Sequence, residues 1–187
     1  LYSAFTAFLG FEVDEGEYKV MGMAPYGNPT YSEEIKKIVH FQNDGSYWLD
    51  PRYFSTHYSA SKMYTRRFEK LFGVPRDNEV PFFTRETEYP PHLGAKPNDF
   101  EQTADYNQHY ADIAASIQEV TEDLIVRIAH HAHEITGKDS LCLAGGVALN
   151  AVANGKLLTK TPFKHLYIQP SAGDGGGALG AALYAWH

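Results

Sequence analysis

LCLAGGVALN (residues 141–150) and HLYIQPSAGDGGGALGAALYAW (residues 165–186) decide how this chain reads. Each is an apolar run that breaks into glycines and then continues as an Ala/Leu-rich helix. That is how a strand presents backbone N–H groups to a phosphate at a helix N-terminus. Two such turns in tandem point to a nucleotide site. The second carries a carboxylate, Asp174, inside its glycine cluster, where a side chain of that length can reach a metal held between protein and phosphate. Metal-assisted phosphate or acyl chemistry is the expectation.

Working outward, the longest predicted element precedes these turns. From about Asp105 to Thr136, Ile113, Ile117, Val120, Leu124 and Ile128 recur at three and four, the spacing of a helix buried along one stripe, and Gly137 ends it. Helix, strand, helix, strand, helix implies a mixed or parallel sheet flanked by helices, so this part is α/β. Upstream, Val74 to Phe100 is proline-rich and charged and reads as one long loop. SKMYTRRFEKLFG has helical spacing at Met63, Phe68, Leu71 and Phe72, with Gly73 as its stop. IKKIVHF and SYWLD read as strands joined through Gln42 to Gly45, a β-hairpin that RYFSTHYS extends. DEGEYKVMGMAPYGNP reads as a loop with one helical turn. LYSAFTAFLGF, residues 1–11, reads as the body of a helix stopped by Gly10, whose apolar face of Leu1, Phe5, Phe8 and Leu9 needs a partner from outside. With no initiator Met, the expectation is an excerpt from a longer protein.

The 187 residues suffice for one core or one lobe of something larger. A net charge of −7 without any dense Lys/Arg run argues against nucleic acid as a partner. The single cysteine, Cys142, excludes a disulfide framework and reads as a small hydrophobe in a buried strand. No apolar stretch reaches the roughly 20 residues that span a bilayer, and no signal peptide opens the sequence. A cytoplasmic, reduced setting is expected, with no membrane partner.

Gly145 and Gly146 remove Cβ atoms where strand turns into helix, and Asn150 lies one turn into that helix with an amide able to read a base or ribose edge. The alternative is a tight turn with an exposed Asn. Gly175, Gly177 and Gly180 match the dinucleotide pattern G-x-G-x-x-G, but no second strand and no acidic ribose ligand follow. Gly175 and Gly176 remain candidate cofactor-binding positions. Gly177, Gly180 and Ala181 give the last helix a small-residue packing face, and Asp174 has an alternative as its N-cap. Glu17 and Lys19 sit among glycines; Lys19 can neutralise a phosphate or polarise a carbonyl, or be an ordinary solvated lysine. His130, His131, His133 and Glu134 are spaced like metal ligands, yet histidines in a last turn also suit the helix dipole, and no second cluster completes a ligand set.

Together LYSAFTAFLGF, EGEYKVMGMAPYG, DIAASIQEVTEDLI, LCLAGGVALNAVANGKL and IQPSAGDGGGALGAAL resemble, in order, the NodU/CmcH-type carbamoyltransferases, with residues from about 30 to 98 matching loosely. The resemblance implies an ATP-dependent O-carbamoyltransferase that passes a carbamoyl group from carbamoyl-adenylate to a small-molecule hydroxyl, with carbamoyl phosphate as donor. It implies a domain similar to the threonylcarbamoyl transferases, with the duplicated fold of actin, sugar kinases and heat-shock ATPases (ribonuclease H-like). This chain would be mainly its second half: 30–100 a variable insertion and 101–187 the nucleotide-binding half. By the same resemblance Gly145, Gly146 and Asn150 border the adenosine, Glu17 and Lys19 belong to a nucleotide-facing loop, and Asp174 ligates an iron-type divalent metal. Two family histidines in an H-x-x-x-H motif, an upstream half-domain and a C-terminal carbamoyl-adenylate-forming domain are not in this sequence, so isolated activity is not expected. A metal-dependent ATPase or kinase of the same fold, or a non-catalytic nucleotide-binding module, are the alternatives.

Overall fold

The computed structural model describes residues 1–42, 44–59, 62–87 and 89–187. It is mixed α/β, with helices and two small sheets, and it divides into two units. Leu1–Phe41 with Tyr47–Thr121 form the first, and Gln42–Ser46 with Glu122–His187 the second. No helix among the described residues is long and apolar enough to cross a membrane.

The first unit holds α1 (Tyr2–Phe8), α2 (Glu17–Met23), α3 (Ser32–Ile38), strands β1 (Val39–Phe41) and β2 (Tyr47–Leu49), and α4 (Arg66–Phe72). It also holds the N-terminal part of α5 (Phe100–Thr136) through Thr121. Its core gathers Phe5, Phe8 and Leu9 with Phe68, Phe72, Ile113 and Ile117, all fully buried. Phe5 meets Phe68 edge-on at 4.9 Å between ring centroids, and Phe8 meets it at 5.4 Å. The apolar face of α1, expected to need an outside partner, is therefore covered from within by the aromatic side of α4. Sequence spacing shows that a face is apolar and not what lies against it.

The EGEYKVMGMAPYG segment is more helical than the expected loop: α2 buries Val20 and Met23 and runs into a 3-10 turn at Ala24–Tyr26. Gly27 then touches α5 so closely that a Cβ there would lie 2.0 Å from the Ala111 carbonyl oxygen. This contact is what the glycine permits. Hydrogen bonds on either side lock it: Gln108 Nε2 donates to the Tyr26 carbonyl at 3.0 Å, and the Asn28 N–H donates to Asp112 Oδ1 at 2.8 Å.

Two further expectations shift here. IKKIVHF splits, with Ile35 and Ile38 buried on α3 and only Val39–Phe41 in the strand, because Glu33 and Glu34 at its start and Lys36 and Lys37 at its end suit the helix dipole. The hairpin itself forms, antiparallel, with His40 opposite Trp48; Asn43 of its turn lies outside the described residues. RYFSTHYS does not extend it but makes a single bridge, Phe54 to Tyr64. The helix expected from Ser61, itself outside the described residues, starts at Arg66, where the Thr65 hydroxyl accepts from the Arg67 N–H, and stops at Gly73 with φ +92°. Among its described residues the stretch from Val74 to Asp99 is irregular apart from a 3-10 turn at Pro91–Leu93. Asn107 of α5 pins it by donating to the carbonyls of Pro81 and Phe83.

The second unit continues α5 and adds β3 (Ser140–Leu143), α6 (Ala151–Lys160), β4 (His165–Ile168) and α7 (Gly176–Trp186). β3 and β4 pair in parallel, Leu141 opposite Leu166 and Cys142 opposite Tyr167. Leu141, Leu143 and Leu166 pack on a core of Ala129, Leu157 and Phe163 from α5, α6 and the segment after it. The alternate residues, Ser140, Cys142, His165 and Tyr167, are exposed. Cys142, expected inside, thus stands on the open face: strand side chains alternate, and only one face of this sheet is covered. Similarly α7 buries none of its residues, and a Cβ at Gly177 or Gly180 would meet nothing within 4 Å. The small-residue face expected there packs against no described residue.

Candidate functional site

At the carboxyl ends of β3 and β4 the two glycine turns are clasped to each other. The Gly145 N–H donates to the Ala172 carbonyl at 2.7 Å, the Gln169 N–H donates to the Leu143 carbonyl at 3.3 Å, and the Leu149 side chain reaches toward Gly173. Ligands of parallel α/β sheets bind in this place, beyond the carboxyl ends of the strands. Both turns feed helices. The first passes through Gly145, at φ +99°, and a 3-10 turn at Gly146–Leu149 into α6; the second reaches α7 through Gly173, Asp174 and Gly175.

The glycines of the two turns differ in what the backbone demands of them. Gly145 adopts a backbone angle that L side chains rarely take, whereas a Cβ at Gly146 would enter open space. At Gly176 a Cβ would lie 2.4 Å from the Ser171 carbonyl oxygen, so glycine there is a packing requirement. A Cβ at Gly175 would meet only the Ser171 hydroxyl, at 2.8 Å.

Asn150 is not one turn into the helix. It is the N-cap of α6, its Oδ1 accepting from the Ala153 N–H at 3.1 Å. Four residues on, the buried Asn154 donates from Nδ2 to the Ala148 carbonyl at 2.7 Å and so fixes the 3-10 turn from behind. α6 is tied to α5 by Lys156, which pairs with the nearly buried Glu122 carboxylate. Asp174 does not cap α7: Gly175 holds that position and no side chain caps the helix. The Asp174 carboxylate is exposed at the mouth of the clasp.

Glu17 and Lys19 belong to the first unit. Glu17 opens α2, accepting from the Asp14 N–H at 3.2 Å, and the exposed Lys19 ammonium lies 5.9 Å from the centroids of both Phe11 and Tyr18. Of the α5 histidines, His130 donates to the Lys160 carbonyl, His131 lies 3.7 Å from Glu134, and His133 meets the Phe163 ring edge-on. They are directed at different partners. Among the described residues no three His, Cys, Asp or Glu side chains converge, and a transition-metal site normally takes three or more, imidazole among them. Asp174 alone does not make such a site.

Two residues of this region escaped the sequence reading. Asn154 carries a weak signal, being four residues from Asn150 on one helix face. Gln169 carries none beyond being polar at a strand end, yet its Oε1 is buried without a hydrogen-bond partner among the described residues.

Residues 1–183 match the family model described as carbamoyltransferase N-terminus. An uncharacterised protein of Synechocystis is 45% identical over 189 residues, covering all of this chain and 27% of that protein. The nodulation protein NolNO of Sinorhizobium fredii is 33% identical over 184 residues, 98% of this chain and 22% of its own length. The nodulation protein NolO of Bradyrhizobium diazoefficiens is 33% identical over 168 residues, 89% of this chain and 24% of its own. The chain spans about a quarter of the length of these curated relatives.

Proposed function

The chain belongs to the carbamoyltransferase N-terminus family, and from that premise we propose that it forms part of an ATP-dependent O-carbamoyltransferase whose nucleotide lies in the clasp of glycine turns. The observation that carries this is the Gly145 to Ala172 hydrogen bond, which holds two strand-to-helix turns side by side so that both present backbone N–H groups to one ligand. In this reading residues 101–187 are the nucleotide-binding part, 30–100 a variable insertion, and the whole mainly the second half of an actin-like, ribonuclease H-like duplicated domain. The rest of that domain, and a domain making carbamoyl-adenylate from carbamoyl phosphate and ATP, would come from a longer protein.

The reaction is acyl transfer. An acceptor hydroxyl of a small molecule attacks the carbonyl carbon of carbamoyl-adenylate; the new C–O bond forms, the bond from carbonyl carbon to the phosphate oxygen breaks, and the hydroxyl proton leaves with the adenylate. Negative charge grows on the departing phosphate. The N–H groups of Gly146 and Gly175, with the N-terminal end of α7, would stabilise that charge without reorganising, whereas the Gly176 N–H is held by the Gly173 carbonyl at 3.0 Å. Asn150 and the turn it caps border the adenosine. Asp174 is the sole side-chain carboxylate of residues 141–187; together with ligands from the longer protein it would hold a divalent, iron-type metal, which when bound would act as a Lewis acid.

Titration calorimetry of the chain with ATP and with AMP tests the reading. Binding that weakens when the Gly146 turn is blocked supports it; absence of binding by either nucleotide overturns it.

A further inference from the structure

We propose that Gln169 is the residue that recognises the carbamoyl group itself, its side-chain amide pairing with the carbamoyl amide of the bound donor; this rests on the nucleotide reading above. Gln169 leaves the carboxyl end of β4 and is hydrogen-bonded through its backbone to Leu143 at the carboxyl end of β3, so it stands in the clasp itself. Its amide lies against the first residue of α7: a Cβ at Gly176 would be 3.3 Å from Nε2 and 3.4 Å from Cδ. That places it at the phosphate end of the proposed site, two residues of helix start away from Asp174, and not at the Asn150 end assigned to adenosine.

The amide is unfinished chemically. Oε1 is out of reach of solvent and has no partner among the described residues, and a buried acceptor left unpaired costs free energy that the fold alone does not return. A carboxamide carries an acceptor and a donor side by side. Its complement is another carboxamide: Oε1 accepts from the carbamoyl N–H while Nε2 donates to the carbamoyl oxygen. An acetyl group keeps the carbonyl and lacks the N–H, and it leaves Oε1 unpaired. Such a site rejects the analogue without the matching donor more strongly than any apolar pocket could. The second hydrogen bond also falls on the oxygen that becomes negative during attack.

The test uses two stable ligands and AMP. In both ligands a methylene replaces the oxygen between carbonyl carbon and the adenylate phosphorus; one carries the carbamoyl NH2, the other a methyl in its place. Wild-type chain should bind the carbamoyl compound at least tenfold more tightly than the acetyl compound. Gln169→Leu should erase that preference while changing AMP affinity less than twofold, with an unchanged thermal unfolding curve. Gln169→Glu, which keeps the length and an acceptor but loses the Nε2 donor, should bind the carbamoyl compound more weakly than wild type and serves if the leucine variant does not fold. Equal wild-type affinity for the two compounds overturns the proposal and leaves the nucleotide reading standing. Equal loss of AMP and carbamoyl compound in Gln169→Leu would assign the amide to adenine or to the fold, and also overturns it. Wild-type failure to bind AMP removes the underlying reading together with this one.

Discussion

Replacing Gly146 by valine separates binding from folding more cleanly than any other change in the clasp. The backbone at Gly146 is not left-handed, and a Cβ there meets nothing within 4 Å. The fold should therefore lose less than about 1 kcal/mol, or roughly 2–4 °C in Tm for a chain of this size. The new side chain enters open space beside the turn, and in the proposed site it competes with the phosphate for the approach to the backbone N–H groups. Losing one charge-assisted hydrogen bond at about 1.5–3 kcal/mol corresponds to roughly a tenfold to hundredfold fall in nucleotide affinity. Gly145→Ala is the contrasting variant: with φ at +99° and ψ at 163°, a region open essentially to glycine alone, it costs about 1–3 kcal/mol of backbone strain in the fold itself. Calorimetric titration with ATP beside thermal unfolding reads both quantities on one preparation. Unchanged affinity in Gly146→Val, or a loss of affinity no greater than that of stability, would refute the placement of the ligand.

Asp174→Ala should leave Tm within about 1 °C, because its carboxylate caps no helix, while abolishing carbamoyl transfer by the complete enzyme; retained turnover in a transfer assay would remove it from the chemistry. Phe8→Ala should cost about 3–5 kcal/mol in denaturant unfolding, since that ring is fully buried among Phe68, Phe72 and Tyr110; a cost under 1 kcal/mol would mean that α1 is not covered from within. Asp50, buried and held down at about 2 by Arg52, should titrate far below an ordinary aspartate in a carbon-detected NMR titration. Because its folded value is depressed, the pair stabilises the fold above about pH 4 and that contribution is lost as pH falls toward 2; Arg52→Met should bring the titration back toward the usual carboxylate range, and an unmoved midpoint would show that Arg52 is not the cause.

How much was legible depended on whether a feature is local. The glycine turns, the long helix, the Gly73 stop and the hairpin follow from chain-local rules of turn geometry and periodicity, and all form, although the helix begins at Phe100, ahead of the expected Asp105, and the first hairpin strand shrinks to Val39–Phe41. What each apolar face packs against is not local. The face of α1 is buried by α4, sixty residues on, while Cys142, inside an equally apolar run, points to the open side of a two-stranded sheet. Asn150 shows the intermediate case: its capping role depends on where the helix starts, and a 3-10 turn moved that start to Ala151. Gln169 could not be found in advance, because an orphaned acceptor exists only once the strand, the second turn and α7 have been folded around it.

The central claim is that one nucleotide touches both turns of the clasp, and backbone amide NMR measures this directly. On titration with ATP the largest shifts should fall on the N–H groups of Gly146 and Gly175 together, saturating with a single dissociation constant. Shifts confined to one turn, or spread over residues outside the clasp, would contradict it.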